Sequence, residues 1–461
     1  MTTQLHIPAA ASRLAAGFLF AGALLGGCAN PLGGPWPYPG SAAQGAKPAS
    51  PAAPATAAPA ATAATAAPVV PAAPAAPAAV AAVPPPRPAP APAAPPPPIL
   101  PFEEAVLSAA NNLLGKAQLS ADVQRHTVVI DPLIDGMTGA QTNASRAMGQ
   151  RIVELIRQQY PQYDVQPFSA ANVAKSPLVL VGTLTGVNAE RKTEGEREAY
   201  RICLALADLK TGKLVGKGLA FARMEGVDPS PTAFFRDAPA WVEDPATLGY
   251  IRTCQGTRAG DPIHPLYVDR ITAGALISEA IDAYGAGRYR EALGLYETAL
   301  GAPAGKQLRV YSGLYLTNLR LGRQDAAEQA FGQIVDQGLE SKRLGLKFLF
   351  RPGSTAFWSE PAAGATPYDV WMKSLAAQAS RRQSCLEVVG HSSATGPAAL
   401  NDRLSLLRAE YVKDQLDRTS PGLGKRMIAN GAGSRETMVG NKRDDASDAL
   451  DRRVEFKVIG C

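Results

Sequence analysis

The run Asn401-Asp402-Arg403-Leu404-Ser405-Leu406-Leu407-Arg408-Ala409-Glu410-Tyr411-Val412-Lys413-Asp414-Gln415-Leu416-Asp417-Arg418 reads as one amphipathic helix. Leu404, Arg408 and Val412 recur at four-residue intervals and share the stripe that faces the interior. A guanidinium on that stripe needs a partner, and its planar fork matches a carboxylate through two parallel hydrogen bonds. An internal ion pair with Asp451 is the alternative. Asn401 is a candidate N-cap, which leaves a helix start beside the loop 391–400, where main-chain N–H groups can receive an anion.

Outward from this helix, the pattern gives a strand at Leu386 to Gly390, a helix at Tyr368 to Ala379 and a strand at Leu344 to Phe350 upstream. Downstream it gives strands at Met427 to Gly433 and Arg452 to Ile459. In the last strand, alternation sets Arg452 with Val454, Phe456 and Val458, and Arg453 with Glu455 and Lys457. Four motifs fall along this βαβαββ order: Phe350-Arg351-Pro352-Gly353-Ser354-Thr355, Val388-Val389-Gly390-His391-Ser392-Ser393, Asn401-x-x-Leu404-Ser405-x-x-Arg408-Ala409, and Arg452-Arg453-Val454-Glu455. Together they resemble the OmpA-like peptidoglycan-binding domain over 344–461. The resemblance implies that Arg408, Asn401, the Ser393 loop, Arg452 and Arg453 contact a peptidoglycan stem peptide. Ser393 departs from the family pattern, which has an aspartate there for the ammonium of diaminopimelate. A hydroxyl gives up a charge-assisted bond worth about 1.5–3 kcal/mol, and Asp402 is the nearest carboxylate that could compensate.

Between 265 and 340, Gly287, Ala292 and Tyr296 recur as Gly322, Ala327 and Phe331. With Leu276, Ala280, Tyr284, Tyr289 and Ala299, this spacing is similar to tetratricopeptide helical hairpins, in which small residues let helices approach and aromatic rings fill the gap. Two copies are fewer than such repeats need alone, so they are expected to lean on a neighbouring domain. The segment 101–260 reads as an α/β sandwich. A helix at Glu103 to Lys116 precedes a strand at Thr127 to Ile130, and a helix with Asn143 as candidate N-cap follows. Strands come next at Leu178 to Val187, Tyr200 to Leu209 and Leu214 to Ala222, the last two flanking the turn Lys210 to Lys213. This order resembles periplasmic domains of lipoproteins that activate penicillin-binding proteins or assist curli and flagellar assembly. The whole is an α+β multidomain chain.

Ahead of these units, Arg13, the apolar run Leu14 to Leu25 and the small residues before Cys28 have the form of an export signal, 1–27, too short to span a bilayer. Leu25-Gly26-Gly27-Cys28 resembles a lipobox, which implies lipidation at Cys28. Ala29 after it implies sorting to the outer membrane, with the folded part on the periplasmic face. The rest of 28–100 is dominated by Pro and Ala and is expected to be a disordered tether. In polyproline II geometry it could reach on the order of 200 Å.

The remaining four of the five cysteines suit an oxidising compartment. Of the possible pairings, Cys203 with Cys254 and Cys385 with Cys461 keep each bridge within one expected domain. The net charge of +6 comes from scattered Lys and Arg with no basic, aromatic-interleaved cluster, which argues against nucleic acid. No catalytic residues, metal ligands or cofactor are assigned. Gly390-His391-Ser392-Ser393-Ala394 only begins like a nucleophile elbow, the four histidines are widely spaced, and Asp131 and Asp135 fit a solvated loop. These readings make the chain a non-catalytic tether between outer membrane and peptidoglycan. The alternative is an envelope assembly or synthase-activating factor whose N-terminal and repeat units grip a periplasmic protein partner.

Overall fold

The computed structural model describes residues 96–461 except 242–243, 359–367, 441, 443 and 445. The export signal, Cys28 and the Pro/Ala run as far as residue 95 lie outside the described residues.

The first part opens with β1 (Ile99–Leu100), α1 (Phe102–Gly115), β2 (His126–Ile130), β3 (Ile134–Asp135) and α2 (Asn143–Gln159). It continues with β4 (Tyr163–Gln166), α3 (Ala170–Val173), β5 (Leu178–Val187), β6 (Ala199–Asp208) and β7 (Lys213–Arg223). The strands form one mixed sheet in the order β1-β7-β6-β5-β2-β4, with β3 continuing the line of β2 along β5. Every residue of β5 is buried, as its near-unbroken apolar run requires of a central strand covered on both faces. Gly212, at φ +70°, closes the β6–β7 turn, a backbone region that glycine enters freely. Asn143 is the first helical residue and not the cap. Thr142 caps α2, its Oγ accepting from Ser145 N while Ser145 Oγ accepts from Thr142 N.

Next come α4 (Ala233–Asp237), α5 (Pro245–Cys254) and α6 (Pro265–Val268), then the hairpins α7 (Ile271–Gly285) with α8 (Tyr289–Gly301) and α9 (Leu308–Arg320) with α10 (Gln324–Glu340). A Cβ on Gly313 would run into the Tyr296 ring, so the small residue sets how closely α8 and α9 approach. The aromatic floor between the hairpins is filled from within the chain. Phe234 of α4 stacks on Tyr296 at 6.1 Å and meets Tyr284 edge-on at 6.0 Å. Asp237 then anchors the end of α4 by accepting from Tyr284 Oη and Arg320 Nη2, both at 3.0 Å.

The last part contains β8 (Arg343–Leu349), α11 (Tyr368–Arg381), β9 (Cys385–Gly390), α12 (Ala398–Thr419), β10 (Met427–Gly431) and β11 (Arg453–Ile459). Its sheet runs β10-β9-β11-β8, with β10 parallel to β9 and β11 antiparallel to both its neighbours. The hairpins lean on this part, since the Trp371 ring stacks on Phe331 at 5.4 Å and donates to Tyr315 Oη at 2.9 Å. Residues 239–241 lie along the outer edge of β8, with Lys347 N donating to Pro239 O and Trp241 N to Gly345 O. Both expected disulfides are present, Cys203–Cys254 with Cα atoms 6.1 Å apart and Cys385–Cys461 at 5.4 Å.

Candidate functional site

The carboxyl end of β9 runs against α12 with no room for a side chain. A Cβ on Gly390 would collide with the Ser405 carbonyl, so glycine is what lets strand and helix touch there. Beyond it the chain turns inward, and His391, Ser392 and Ser393 are all buried. Arg408 lies opposite, fully buried. Its Nε donates to Ser354 O at 3.0 Å, Nη1 to His391 O at 2.9 Å and Nη2 to Arg351 O at 3.0 Å. Its guanidinium also sits 5.2 Å from the centre of the Phe350 ring. These bonds tie the loop after β8, the end of β9 and α12 to one cation. Burial, then the nearby Arg452, draw its pKa down to about 10. The alternative ion pair with Asp451 is not made. The Asp451 carboxylate accepts from Met438, Val439 and Gly440 N at 2.6 to 2.9 Å, so main-chain donors hold it.

Beside Arg408, Ser393 Oγ donates to Asp444 Oδ1 at 2.6 Å, and Arg452 Nη1 reaches the same oxygen at 3.3 Å. Arg452 Nε donates to Phe350 O at 3.1 Å, just ahead of the loop that supplies two of Arg408's three acceptors. Ser393, Arg408 and Arg452 thus converge, and the carboxylate among them is Asp444, whose side chain is 30 % exposed while Arg452 is buried. Asp402 does not take that place: it is exposed and paired with Arg435. Asn401 is not the N-cap either, because α12 begins one turn earlier, after Pro397. Its side-chain amide donates to Thr395 O at 3.1 Å and pins the loop between β9 and the helix. Arg453 does not join the cluster. Strand alternation turns it to the other face, where it pairs with Glu455 and lies 4.9 Å from the Trp241 ring. Asp444 is the residue that sequence reasoning missed. It stands fifty-one positions from Ser393, and its only signal is an acidic pair ahead of Arg452.

His391 is held neutral, its pKa driven far below the ordinary value by burial and by the charges of Arg453 and Lys457. Its Nε2 lies 3.3 Å from Glu455 Oε1, and neither ring nitrogen makes a hydrogen bond to a described group. The nucleophile-elbow resemblance has no geometry behind it, since Ser392 Oγ is buried with no hydrogen-bond partner among the described residues. Asp131 and Asp135 are half-buried and hydrogen-bonded, where their loop setting implies full solvation. Asp135 Oδ1 accepts from Met137 N, Thr138 N and Thr138 Oγ1, and Asp131 Oδ2 accepts from Tyr267 Oη at 2.8 Å. Among the described residues, no group of three or more His, Cys, Asp and Glu is placed to hold a metal ion.

No family model and no curated protein matches the chain. Among solved structures, it is similar to the peptidoglycan-associated lipoprotein from Burkholderia pseudomallei, at 21 % identity over 26 % of this chain and 92 % of that one, with a TM-score of 0.22. It is similar to the cell wall anchor of the T6SS from Pseudomonas aeruginosa, at 21 % identity over 28 % and 97 % of the two chains and a TM-score of 0.22. The periplasmic domain of MotB from Helicobacter pylori matches at 17 % identity over 25 % and 72 %, with a TM-score of 0.21.

Proposed function

We propose that the chain is a peptidoglycan-binding envelope protein whose last part, 344–461, holds a stem peptide at the carboxyl end of β9. The observation that supports this is the convergence of Ser393, Arg452 and the partly exposed Asp444 carboxylate on one point. In this reading Asp444 restores, from a distant loop, the carboxylate that Ser393 lacks. It accepts the ammonium of a diamino acid, while Arg408 and Arg452 keep the site cationic for the adjoining carboxylate. Arg408 then works mainly by fixing the walls, since three of its five N–H groups go to main-chain carbonyls. Lipidation at Cys28, outer-membrane sorting and a Pro/Ala tether belong to the same proposal and explain how such a domain would reach the wall. The partner-binding alternative gains nothing from the hairpins, whose aromatic floor is taken by Phe234.

The test is co-sedimentation of the soluble chain, without its signal, with purified sacculi. Wild type is expected to pellet, Asp444→Ala to stay in the supernatant, and Ser393→Asp to restore pelleting in the Asp444→Ala background. Arg408→Ala is a poor probe, because freeing three buried carbonyls would disturb the fold. Wild type remaining in the supernatant would overturn the proposal, and equal pelleting of wild type and Asp444→Ala would remove Asp444 from it.

A further inference from the structure

A pocket lies between the first sheet and the hairpins, lined by none of the residues of the proposed wall site. Three residues, 131–133, separate Ile130 from Ile134 on one strand line, while two separate their partners Leu180 and Thr183 on β5. This is a bulge, a device that re-aims side chains and recurs beside binding sites. Here it turns Asp131 into a cleft of about 40 Å³ that opens to solvent and is closed on the far side by α7 and α9. A position between packed units is where small-molecule sites occur.

The charges of the cleft are incompletely satisfied. Arg309, at the start of α9, lines it with Nε sealed from solvent and without an acceptor among the described residues, while Nη2 donates to Gln307 Oε1 at 3.5 Å. Arg309 is half-buried, so its guanidinium turns a sealed Nε inward and leaves the rest of its fork free for an anion. Asp131 presents the opposite character. One oxygen is fixed by Tyr267 Oη, which is itself buried, and the other takes no hydrogen bond from a described group. Tyr250, whose hydroxyl is spent on Gly182 and Pro132, and Ile271 supply the apolar wall between them.

We propose that this cleft binds a small zwitterion of free amino-acid size, its carboxylate on Arg309 and its ammonium on Asp131, with a short apolar side chain against Tyr250 and Ile271. The site is independent of the wall site and would give an envelope protein a means of sensing a small metabolite. D- and L-amino acids present the same pair of charges, so the chemistry is shared and the stereochemistry is left to the measurement.

The experiment is titration calorimetry on the soluble chain with glycine, D-alanine and L-alanine, and with acetate and ethylamine as half-ligands. The amino acids are expected to bind and each half-ligand to bind more weakly or not at all. Arg309→Gln and Asp131→Asn are each expected to weaken binding about tenfold to a hundredfold, the cost of one charge-assisted bond. Both variants should keep the wild-type circular dichroism spectrum, and retained sacculus pelleting would show that the fold and the wall site are intact. A preference for D-alanine would point to wall-derived ligands and a preference for L-alanine to the general pool; either supports the cleft. Absence of heat for all three amino acids at millimolar concentration, or binding indifferent to both substitutions, would overturn the proposal while leaving the wall-binding reading untouched.

Discussion

Asp131 is a carboxylic acid in a place that penalises its charge. Burial raises its pKa from 3.8 to about 7, against the lowering effect of the Tyr267 hydroxyl and the Arg309 charge. A raised folded-state value means that the native chain holds a proton which the unfolded chain has released, so the associated stability is full below pH 3.8 and is lost as pH climbs through 7. Asp131→Asn is therefore expected to stabilise the chain by about 1–3 kcal/mol at pH 8 and by almost nothing at pH 4. Urea denaturation at the two pH values measures this, and an equal effect at both would refute it. The same substitution is expected to weaken the proposed ligand, so stability and binding pull this residue in opposite directions. Neither Asp131 nor Asp444 could be assigned from sequence. An aspartate after an apolar strand is ordinarily solvated, and what buries Asp131 is Tyr267, 136 positions away. Arg408 was more legible, because a guanidinium on an inward helical stripe demands acceptors, but sequence could not tell a ligand carboxylate from three main-chain carbonyls.

Strand positions were readable where alternation or a long apolar run governs them, and β5 falls on the residues its pattern predicts. Contacts made by irregular segments were not. Residues 239–241 follow the first sheet in sequence yet pair with β8 at the edge of the last sheet, and no local pattern announces this. The pairing matters because an open strand edge presents unpaired N–H and C=O groups to other chains. Below it, the Lys347 ammonium donates to the carbonyls of Phe235 and Arg236 at the end of α4. A fragment limited to 344–461 loses both covers, together with the Phe331 ring under Trp371. It is expected to self-associate with rising concentration in analytical ultracentrifugation, whereas 96–461 should show a concentration-independent sedimentation coefficient. Ideal behaviour of the fragment would mean that the β8 edge needs no cover.

At the scale of the molecule, one hydrophobic core runs through the hairpins and the last sheet, from Ile277 and Tyr296 through Phe331 and Trp371 to Phe348 and Val412. The hairpins and the last sheet thus share side chains in a single core. The two faces of the first sheet have their own clusters, and α7 belongs to both systems, with Ile271 and Ala275 in one and Ile277 and Ala280 in the other. The disulfides staple each end of this arrangement, closing sequence separations of 51 and 76 residues. On the chain-entropy estimate each is worth about 4 kcal/mol. Reduction is expected to lower the melting temperature by several degrees, and an unchanged thermal scan in reductant would count against both bridges. How the βαβαββ order and the bridges could be foreseen, while the joint between the units could not, follows from range: the former rest on periodicity and cysteine count, the latter on packing between distant segments.

The Lys347 amine offers a clock for that joint. Burial brings its pKa from 10.5 to about 7, so near neutrality about half of the population carries a free electron pair, a far larger share than an ordinary lysine has. Yet the side chain is buried between α4 and β8, and an acylating reagent is expected to reach it mainly while the segment 235–241 has lifted away. Its labelling half-life, followed by mass spectrometry at several reagent concentrations, should saturate at the rate of that opening, whereas exposed lysines such as Lys210 label in proportion to reagent.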